Sequence, residues 1–168
     1  MSHEVEIGRG KRGRRAYTLD DIALVPARRT RDPEDVNVGW QIDAYHVDLP
    51  LMAAPMDSVM SPETAIAFGR LGGIGVLDLD GLWTRYEDPE PILDQIAHLG
   101  EEESIATLQR VYSEPIKPTL ITERLTQLRE AGVVVAGKLS PQRVQQHWRA
   151  VVDAGVDLFI IRGSTVSA

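Results

Sequence analysis

The stretch that decides the fold is Leu49-Pro50-Leu51-Met52-Ala53-Ala54, a short apolar run without a charged residue. After a polar loop at residues 55–60, Ser61 is a favourable helix N-cap and Pro62 suits the first helical position. A second apolar run, Ile74-Gly75-Val76-Leu77, follows the helix. A buried strand, a helix and another buried strand in this order predict parallel strands covered by helices.

The same alternation of apolar strands and amphipathic helices continues along the sequence. Further apolar runs at residues 133–137 and 157–161 predict a third and a fourth strand. Helical patterns lie before or between them, at residues 89–112, 122–131 and 140–154. Four βα units are half of a (β/α)8 TIM barrel, a fold that typically takes roughly 250 residues. We therefore predict an α/β fold in which residues 49–168 form the N-terminal half of a TIM barrel, about four βα units, behind an N-terminal extension.

The N-terminal extension divides into two parts by composition. Residues 1–16 are polar and rich in arginine and lysine, which predicts a basic, disordered tail. Residues 17–48 form an entry segment, in which short strands at residues 36–38 and 46–48 predict a ribbon. Within the barrel half, residues 88–122 are polar and helical, and we interpret them as a short insert.

The composition excludes several classes of function. The chain contains no cysteine, so its own residues form no disulfide, thiolate metal site or cysteine nucleophile, and we predict no metal site. The net charge of -7 at pH 7 disfavours nucleic-acid binding. No apolar run approaches the roughly 20 residues that span a bilayer, and the N-terminus lacks the apolar segment of a signal peptide. The expected location is cytoplasmic, with no membrane partner.

Ligand-binding residues of a (β/α)8 barrel lie at the carboxyl ends of its strands. In this sequence those ends are expected at four places, residues 54–58, 77–81, 137–140 and 162–165. Because the carboxyl ends of parallel strands meet at one edge of the sheet, the side chains of these four loops are the candidates for a shared site.

Several of these segments resemble the IMP dehydrogenase/GMP reductase family. Residues 19–26, Leu-Asp-Asp-Ile-Ala-Leu-Val-Pro, are similar to the segment that opens its barrel. Residues 50–59, Pro-Leu-Met-Ala-Ala-Pro-Met-Asp-Ser-Val, followed by Ala65-Ile66-Ala67 and by Gly72-Gly73-Ile74-Gly75-Val76, resemble its first βαβ unit. Most IMP dehydrogenases carry a pair of CBS domains after the second strand and helix, where this sequence has the short insert at residues 88–122. The resemblance implies the short branch of the family that lacks CBS domains.

The resemblance also implies a purine-nucleotide site in the loop after the first strand. Met56 matches a methionine that lies beside the purine, and Asp57 matches a residue that orients the loop. Ala54 matches a position that is often a serine in contact with the nucleotide, so that polar contact is lost here. Ala54, Met56 and Asp57 are therefore the candidate nucleotide-binding residues, although a methionine of this kind can instead belong to the core.

The family places its dinucleotide cofactor at the end of the fourth strand, where an Asp-Ser-Ser type sequence is usual. This chain has Arg162, Gly163 and Ser164 there, which makes these three the candidate cofactor-binding residues. The implied cofactor is NAD, with NADP as the alternative. The reversed charge at Arg162 argues against ordinary NAD binding, because an arginine holds a phosphate bidentately. The alternative role for Arg162 is an ion pair with a neighbouring carboxylate.

The family's catalytic cysteine and its main phosphate-binding glycine loops belong to the second half of the barrel, so we predict no catalytic residue in this chain. The resemblance implies part of a purine-nucleotide oxidoreductase that converts IMP to XMP with NAD through that cysteine. The alternatives are a GMP reductase-like enzyme and a non-catalytic nucleotide-binding or assembly module. The implied partners are IMP or GMP and further copies of the chain, since the family forms tetramers. Alone, the chain is expected to be inactive and not to be a stable monomer, because its outer strands would have unpaired edges.

Overall fold

The computed structural model divides the chain into two compact units, Met1–Asn37 and Val38–Ala168. The residues that it describes are 4–6, 9–14, 16–23, 25 and 32–163. In the first unit, β1 (Glu4–Glu6) pairs antiparallel with β2 (Arg12–Arg14), so a short hairpin stands where the sequence predicted a disordered tail. The unit also contains two single turns of 3-10 helix, at Leu19–Asp21 and Pro33–Asp35.

The second unit begins with an antiparallel hairpin made of β3 (Trp40–Ile42) and β4 (Tyr45–Val47). The predicted strand at residues 36–38 is wrong, since these residues have no regular structure. The two-residue turn after β3 sets the register instead. Its first residue, Asp43, has a φ of 47°, a left-handed conformation that aspartate tolerates better than most residues.

The main sheet has four parallel strands in the order in which they occur along the chain. They are β5 (Met52–Ala53), β6 (Ile74–Asp78), β7 (Ala136–Leu139) and β8 (Leu158–Ile161). This confirms the predicted α/β fold with a parallel sheet. The third strand begins at Ala136 rather than at residue 133, because its ladder with β6 starts where Ala136 pairs with Val76.

Five helices connect the strands: α1 (Pro62–Arg70), α2 (Glu90–Ala97), α3 (Glu101–Val111), α4 (Pro118–Glu130) and α5 (Pro141–Asp153). The Ser61 hydroxyl caps α1 by accepting a 3.1 Å hydrogen bond from the Thr64 N–H, as the sequence predicted. The helical pattern at residues 89–112 is two helices, because the chain turns at residues 98–100. The helix expected from residue 122 begins earlier, at Pro118, where proline occupies the first helical position.

The core lies on both faces of the sheet. On one face, Leu77 and Leu139 pack against the fully buried α4 residues Ile121, Leu125 and Leu128. On the opposite face, a smaller cluster joins the hairpin to the sheet and consists of Val47, Ile74, Val76 and Ala136. The hairpin therefore covers the start of the strands, while the carboxyl ends of the strands are left for polar residues.

Close approach of α1 to β6 depends on a glycine. A Cβ atom on Gly75 would lie 2.5 Å from the Cα of Ala65, closer than real Cβ contacts allow. Ala65 is 1% exposed, so the helix has no room to move away without opening the core. This contact holds α1 against the strand and thereby sets where the loop before the helix lies.

Candidate functional site

Charged side chains meet at the carboxyl ends of β6 and β7. Asp78 and Lys138 are paired in the parallel register, so their side chains leave the same face of the sheet. The Lys138 ammonium lies 3.2 Å from Oδ1 of Asp78 and 3.1 Å from Oδ2 of Asp80. Asp80 is itself held by the N–H of Ser140, which donates a 2.7 Å hydrogen bond to the same Oδ2. We call Asp78, Lys138 and Asp80 the charged trio.

Burial and mutual attraction act against each other in the charged trio. Burial raises the pKa of Asp78, and the nearby Lys138 ammonium only partly opposes that effect. For Lys138, burial alone would lower the pKa, but the attraction of Asp78 and Asp80 outweighs it and the pKa is raised. Lys138 therefore remains an ammonium whose charge is balanced by two carboxylates, which leaves little positive charge for an anionic ligand.

Asp57 organises the loop after β5. Its Oδ2 atom accepts a 2.8 Å hydrogen bond from the N–H of Leu82 and a 2.5 Å hydrogen bond from the hydroxyl of Tyr112. Burial and then the bond to Asp57 raise the pKa of Tyr112, so the phenol stays protonated and continues to donate. The loop after β5 is thus bound to the loop after β6 and to the end of α3.

Helices α2 and α3, Glu90–Ala97 and Glu101–Val111, together form what we call the α2–α3 segment. Two buried arginines hold the end of this segment that lies nearest the sheet. Arg85 is 5% exposed and donates to the carbonyl of Asp80 at 2.9 Å and to the carbonyl of Glu114. Arg124, also 5% exposed, donates to the carbonyl of Trp83 at 3.1 Å and to that of Glu87 at 2.6 Å. These bonds satisfy both guanidinium groups and join the start of the segment to its end. The two helices therefore extend from a fixed base.

The α2–α3 segment and the loop after β5 enclose a cleft of about 480 Å³, which we call the α2–α3 cleft. Its volume lies within the range of about 300–1,000 Å³ that is usual for small-molecule sites. The cleft is lined by Pro55, Met56, Asp57, Ser58, Asp78, Leu82, Leu93, Ile96, Leu108 and Tyr112. None of these ten residues is basic, and half of them are apolar side chains from Met56, Leu82 and the two helices.

A second hollow of about 390 Å³ lies at the carboxyl ends of β7 and β8. It is lined by Pro55, Lys138, Arg162 and Gly163, and we call it the Arg162 hollow. Because Lys138 is neutralised within the charged trio, Arg162 carries the positive charge that a ligand in this hollow would meet. Pro55 lines both hollows, so they are neighbours.

The structure separates the residues predicted from the sequence into two groups. Met56 and Asp57 line the α2–α3 cleft, whereas Ala54 is exposed and borders neither hollow. Arg162 and Gly163 border the Arg162 hollow, and Ser164 lies outside the described residues. Their binding roles stay predictions.

Sequence reasoning placed three further residues in the loops of this edge without singling them out, Asp78, Asp80 and Lys138, and it missed a fourth, Tyr112. A local signal existed for the first three, because each is a charged residue at or just after the end of an apolar strand run. For Tyr112 no local signal existed. Its partner Asp57 is 55 positions away along the chain.

The described residues form neither a metal-binding cluster nor a membrane-spanning helix. Within them, no group of three or more histidine, aspartate or glutamate side chains is placed to hold a metal ion. No helix in the described ranges is long and apolar enough to cross a membrane.

Comparison with known proteins gives one family. A family model described as "IMP dehydrogenase / GMP reductase domain" matches residues 16–167. A relative in Mycolicibacterium smegmatis named an uncharacterized oxidoreductase is 43% identical over 98% of this chain and 45% of its own length. An inosine-5'-monophosphate dehydrogenase of Methanocaldococcus jannaschii is 41% identical over 38% of this chain and 13% of its own length.

A solved structure agrees with these sequence matches. The crystal structure of an IMP dehydrogenase/GMP reductase-like protein from Corynebacterium glutamicum superposes with a TM-score of 0.82 at 42% identity. The match covers 98% of this chain and 45% of that protein. The chain thus spans about half the length of the relatives that it matches along its whole length.

Proposed function

Because the chain belongs to the IMP dehydrogenase/GMP reductase family, we propose that it contributes the first half of a purine-nucleotide oxidoreductase built on a (β/α)8 barrel. The four parallel strands in chain order supply the first four βα units of that barrel. The α2–α3 segment takes the place that CBS domains occupy in most IMP dehydrogenases. The complete protein forms a homo-oligomer.

The observation that carries this proposal is the position of Met56 and Asp57. Both follow β5 directly and line a cleft at the carboxyl ends of the strands, which is where barrels of this type bind their ligands. Met56 is 47% exposed and offers an apolar, polarisable surface for the purine. Asp57 keeps the loop in place through its bonds to Leu82 and Tyr112.

The reaction that fits best is oxidation of IMP to XMP with hydride transfer from the purine to NAD. The family performs this step with a cysteine thiolate, and this chain contains no cysteine. Its own residues therefore bind and orient the nucleotide and exclude water from one side of it. They do not form the covalent bond, and we expect the 168-residue chain by itself to show no turnover of IMP with NAD.

A second candidate function differs from the first in its cofactor. Arg162 and Gly163 would meet a dinucleotide at the end of β8, and the guanidinium fork of Arg162 suits a phosphate better than a ribose hydroxyl. A phosphate on the ribose is what distinguishes NADP from NAD. Arg162 therefore favours NADPH and with it a GMP reductase-like activity as the second candidate.

A chimeric protein tests the proposed function. This chain would replace the matching 45% of the Corynebacterium glutamicum protein, and calorimetry would measure binding of IMP and GMP. We expect Met56→Asp to weaken nucleotide binding by about tenfold or more, because a carboxylate would lie against the purine. The control is Leu71→Asp, which adds the same charge at an exposed position after α1, at the opposite end of the sheet.

Two results would contradict the proposed function. One is a folded chimera that binds neither nucleotide although the parental protein does. The other is equal nucleotide affinity of the Met56→Asp and Leu71→Asp variants. Initial rates with IMP and NAD, and with GMP and NADPH, then separate the two candidates. A preference for NAD that Arg162→Asp leaves unchanged would remove the argument for NADP.

A further inference from the structure

The first unit, Met1–Asn37, has no core of its own among the residues whose side chains the structure describes. None of these residues is buried, and all but Gly13 are exposed. Val5 and Ile22, for example, are 51% and 54% exposed. A hairpin of two short strands is at best marginally stable in water, because it buries too little apolar surface. The hairpin of β1 and β2 therefore needs a surface outside its own two strands.

The two strands of this hairpin carry opposite charges. The sequence of β1 is Glu-Val-Glu and that of β2 is Arg-Gly-Arg. The antiparallel register places Glu4 opposite Arg14, and it places Glu6 opposite Arg12. Arg12 also approaches Glu4 diagonally, with 3.5 Å between Nη1 and Oε2. Directly opposed side chains leave the same face of a sheet, so all four charges lie on one face of the hairpin. Because these side chains are exposed, their pairing sets the register and adds little stability.

The hairpin has two outer edges of opposite charge. In the described part of the chain, β1 and β2 pair with each other and with no third strand, so each has one unpaired side. The backbone N–H and C=O groups along such an edge can bind a strand of another molecule. The edge of β1 carries two glutamates and that of β2 carries two arginines. One hairpin therefore presents an acidic edge and a basic edge that are complementary to each other.

These charges favour one way of pairing two copies of the hairpin. If two β1 edges met, glutamates would lie beside glutamates, and if two β2 edges met, arginines would lie beside arginines. Like charges directly opposite each other destabilise a sheet. When β1 of one copy meets β2 of the next, each glutamate lies beside an arginine, in the register that the hairpin itself uses. This contact is head to tail, so it repeats from copy to copy and closes into a ring if the rotation allows.

We propose that the β1–β2 hairpin is an interface between copies of this chain, in which β1 of one copy pairs head to tail with β2 of the next. The partner is a second copy, because the acidic edge and the basic edge that match lie on the same hairpin. Strands of three residues bury little surface, so the contact determines which edges meet and adds little affinity. The interface does not depend on the proposed function, since it involves neither the nucleotide nor the cofactor.

Disulfide cross-linking of the 168-residue chain tests this interface, because the chain has no cysteine of its own. Val5 and Gly13 are the opposed middle residues of the two strands, and neither is charged. In the proposed contact, Val5 of one copy lies beside Gly13 of the next, at a separation that a disulfide can span. We expect a mixture of the Val5→Cys and Gly13→Cys chains to cross-link about fivefold or more above either chain alone. Peptide mass spectrometry identifies the bond.

A matched control exchanges the charges of the two strands and keeps both the net charge and the pairing within the hairpin. Its substitutions are Glu4→Arg, Glu6→Arg, Arg12→Glu and Arg14→Glu. Charge-exchanged chains should cross-link with one another as the original chains do. A charge-exchanged Val5→Cys chain should fail to cross-link with the original Gly13→Cys chain, because two basic edges would meet. Ile105→Cys, at a similar exposure of 53%, is mixed with Gly13→Cys to measure random collisions.

Thermal melts followed by circular dichroism establish that the variants keep the fold. If a cysteine substitution alters the melt, tagged original and tagged charge-exchanged chains are compared for their retention of the untagged original chain. Equal retention overturns the proposed interface. So do mixed cross-links that do not exceed those of the Ile105→Cys mixture, cross-links between two Val5→Cys chains that are as abundant, or equal cross-linking of original and charge-exchanged chains. Binding of IMP or GMP by the chimera is a separate measurement and bears on the proposed function alone.

Discussion

The hydroxyl of Tyr112 donates a 2.5 Å hydrogen bond to Oδ2 of Asp57 and so joins the end of α3 to the loop after β5. The same oxygen accepts the N–H of Leu82 from the loop after β6. The Arg85 guanidinium lies 5.6 Å from the centre of the Tyr112 ring and adds a cation–π contact. Three segments that are distant in the chain meet at one carboxylate, and this junction shapes the α2–α3 cleft.

Loss of the Tyr112 hydroxyl should therefore weaken the fold. We expect Tyr112→Phe to lower the free energy of unfolding by about 1 kcal/mol, because it removes a hydrogen bond to an ionised acceptor. Tyr86→Phe is the matched control, since that hydroxyl donates to the neutral carbonyl of Val111 and should cost less. Urea unfolding measures both variants. A smaller loss for Tyr112→Phe than for Tyr86→Phe would contradict the importance of the junction.

The same bond should make stability depend on pH in the alkaline range. The pKa of Tyr112 is raised, first by burial and then by Asp57, above its ordinary value of 10.0. A group with a raised folded-state pKa contributes stability below its unfolded pKa and loses that contribution as the pH rises through the folded value. We expect the urea midpoint to fall above about pH 10, and to fall less in Tyr112→Phe. Parallel curves for the two proteins would disprove this coupling.

Gly81 is required by the position of Asp57. A Cβ atom on Gly81 would overlap the Asp57 carboxylate, which Tyr112 and Leu82 hold in place. We expect Gly81→Ala to cost about 1–3 kcal/mol of stability. Gly100→Ala is the control, since a Cβ there meets no atom within 4 Å.

A double-mutant cycle identifies the cause of that loss. In an Asp57→Ala background the overlap is gone, and Gly81→Ala should then cost much less than in the wild-type chain. Chemical denaturation of the four proteins gives the interaction energy. If Gly81→Ala costs the same in both backgrounds, the effect arises elsewhere than at the carboxylate.

Removing the lysine of the charged trio should make the stability of the fold depend on pH in the acidic range. Burial raises the pKa of Asp78, and Lys138 opposes that rise. In Lys138→Met the pKa of Asp78 should rise further, because the opposing ammonium is gone. A carboxyl group whose pKa is raised by folding destabilises the fold once it ionises. The stability of the variant should therefore be highest below about pH 4 and should fall as the pH rises through the folded-state pKa of Asp78. We expect a deficit of about 3 kcal/mol at pH 7 that shrinks toward pH 4.

Urea melts of Lys138→Met at several pH values between about 4 and 7 follow this deficit. Lys117→Met serves as the control, because the Lys117 ammonium takes part in none of the salt bridges among the described residues. A deficit that is constant across this range, or that is as large in the control, would argue against the trio as its source.

The outer strands of the sheet should make the 168-residue chain self-associate. In the described part of the chain, β5 and β8 each pair on one side only, and Met52 and Ile161 on them are 41% and 57% exposed. Exposed apolar edges of this kind pair with other chains. We expect light scattering to detect oligomers, and Ile161→Lys to shift them toward monomer, while Ile105→Lys on α3 leaves them unchanged. A monodisperse wild-type monomer with a cooperative melt would refute this expectation.

The parallel α/β fold could be predicted from the sequence because its signals are local. The apolar runs at residues 49–54 and 74–77 with a capped helix between them specify a βαβ unit within 30 residues. The loop after β5 was placed at the ligand edge by the same reasoning, since parallel strands bring their carboxyl ends together. The apolar runs did not give the first and last residues of the strands. For example, β7 begins at Ala136, after the three valines at residues 133–135.

The composition of the site was decided by tertiary structure. Lys138 finds Asp78 only because β6 and β7 pair in one particular register, and a slip by one residue would turn the two side chains to opposite faces. The Tyr112 hydroxyl reaches Asp57 only because the α2–α3 segment leads back to the sheet, where Arg85 binds the carbonyl of Glu114. Hydrophobic periodicity reports which face of an element is buried and carries no information about partners 55 or 60 positions away. The strands and helices thus followed from the sequence, and the contacts that make a cleft of them did not.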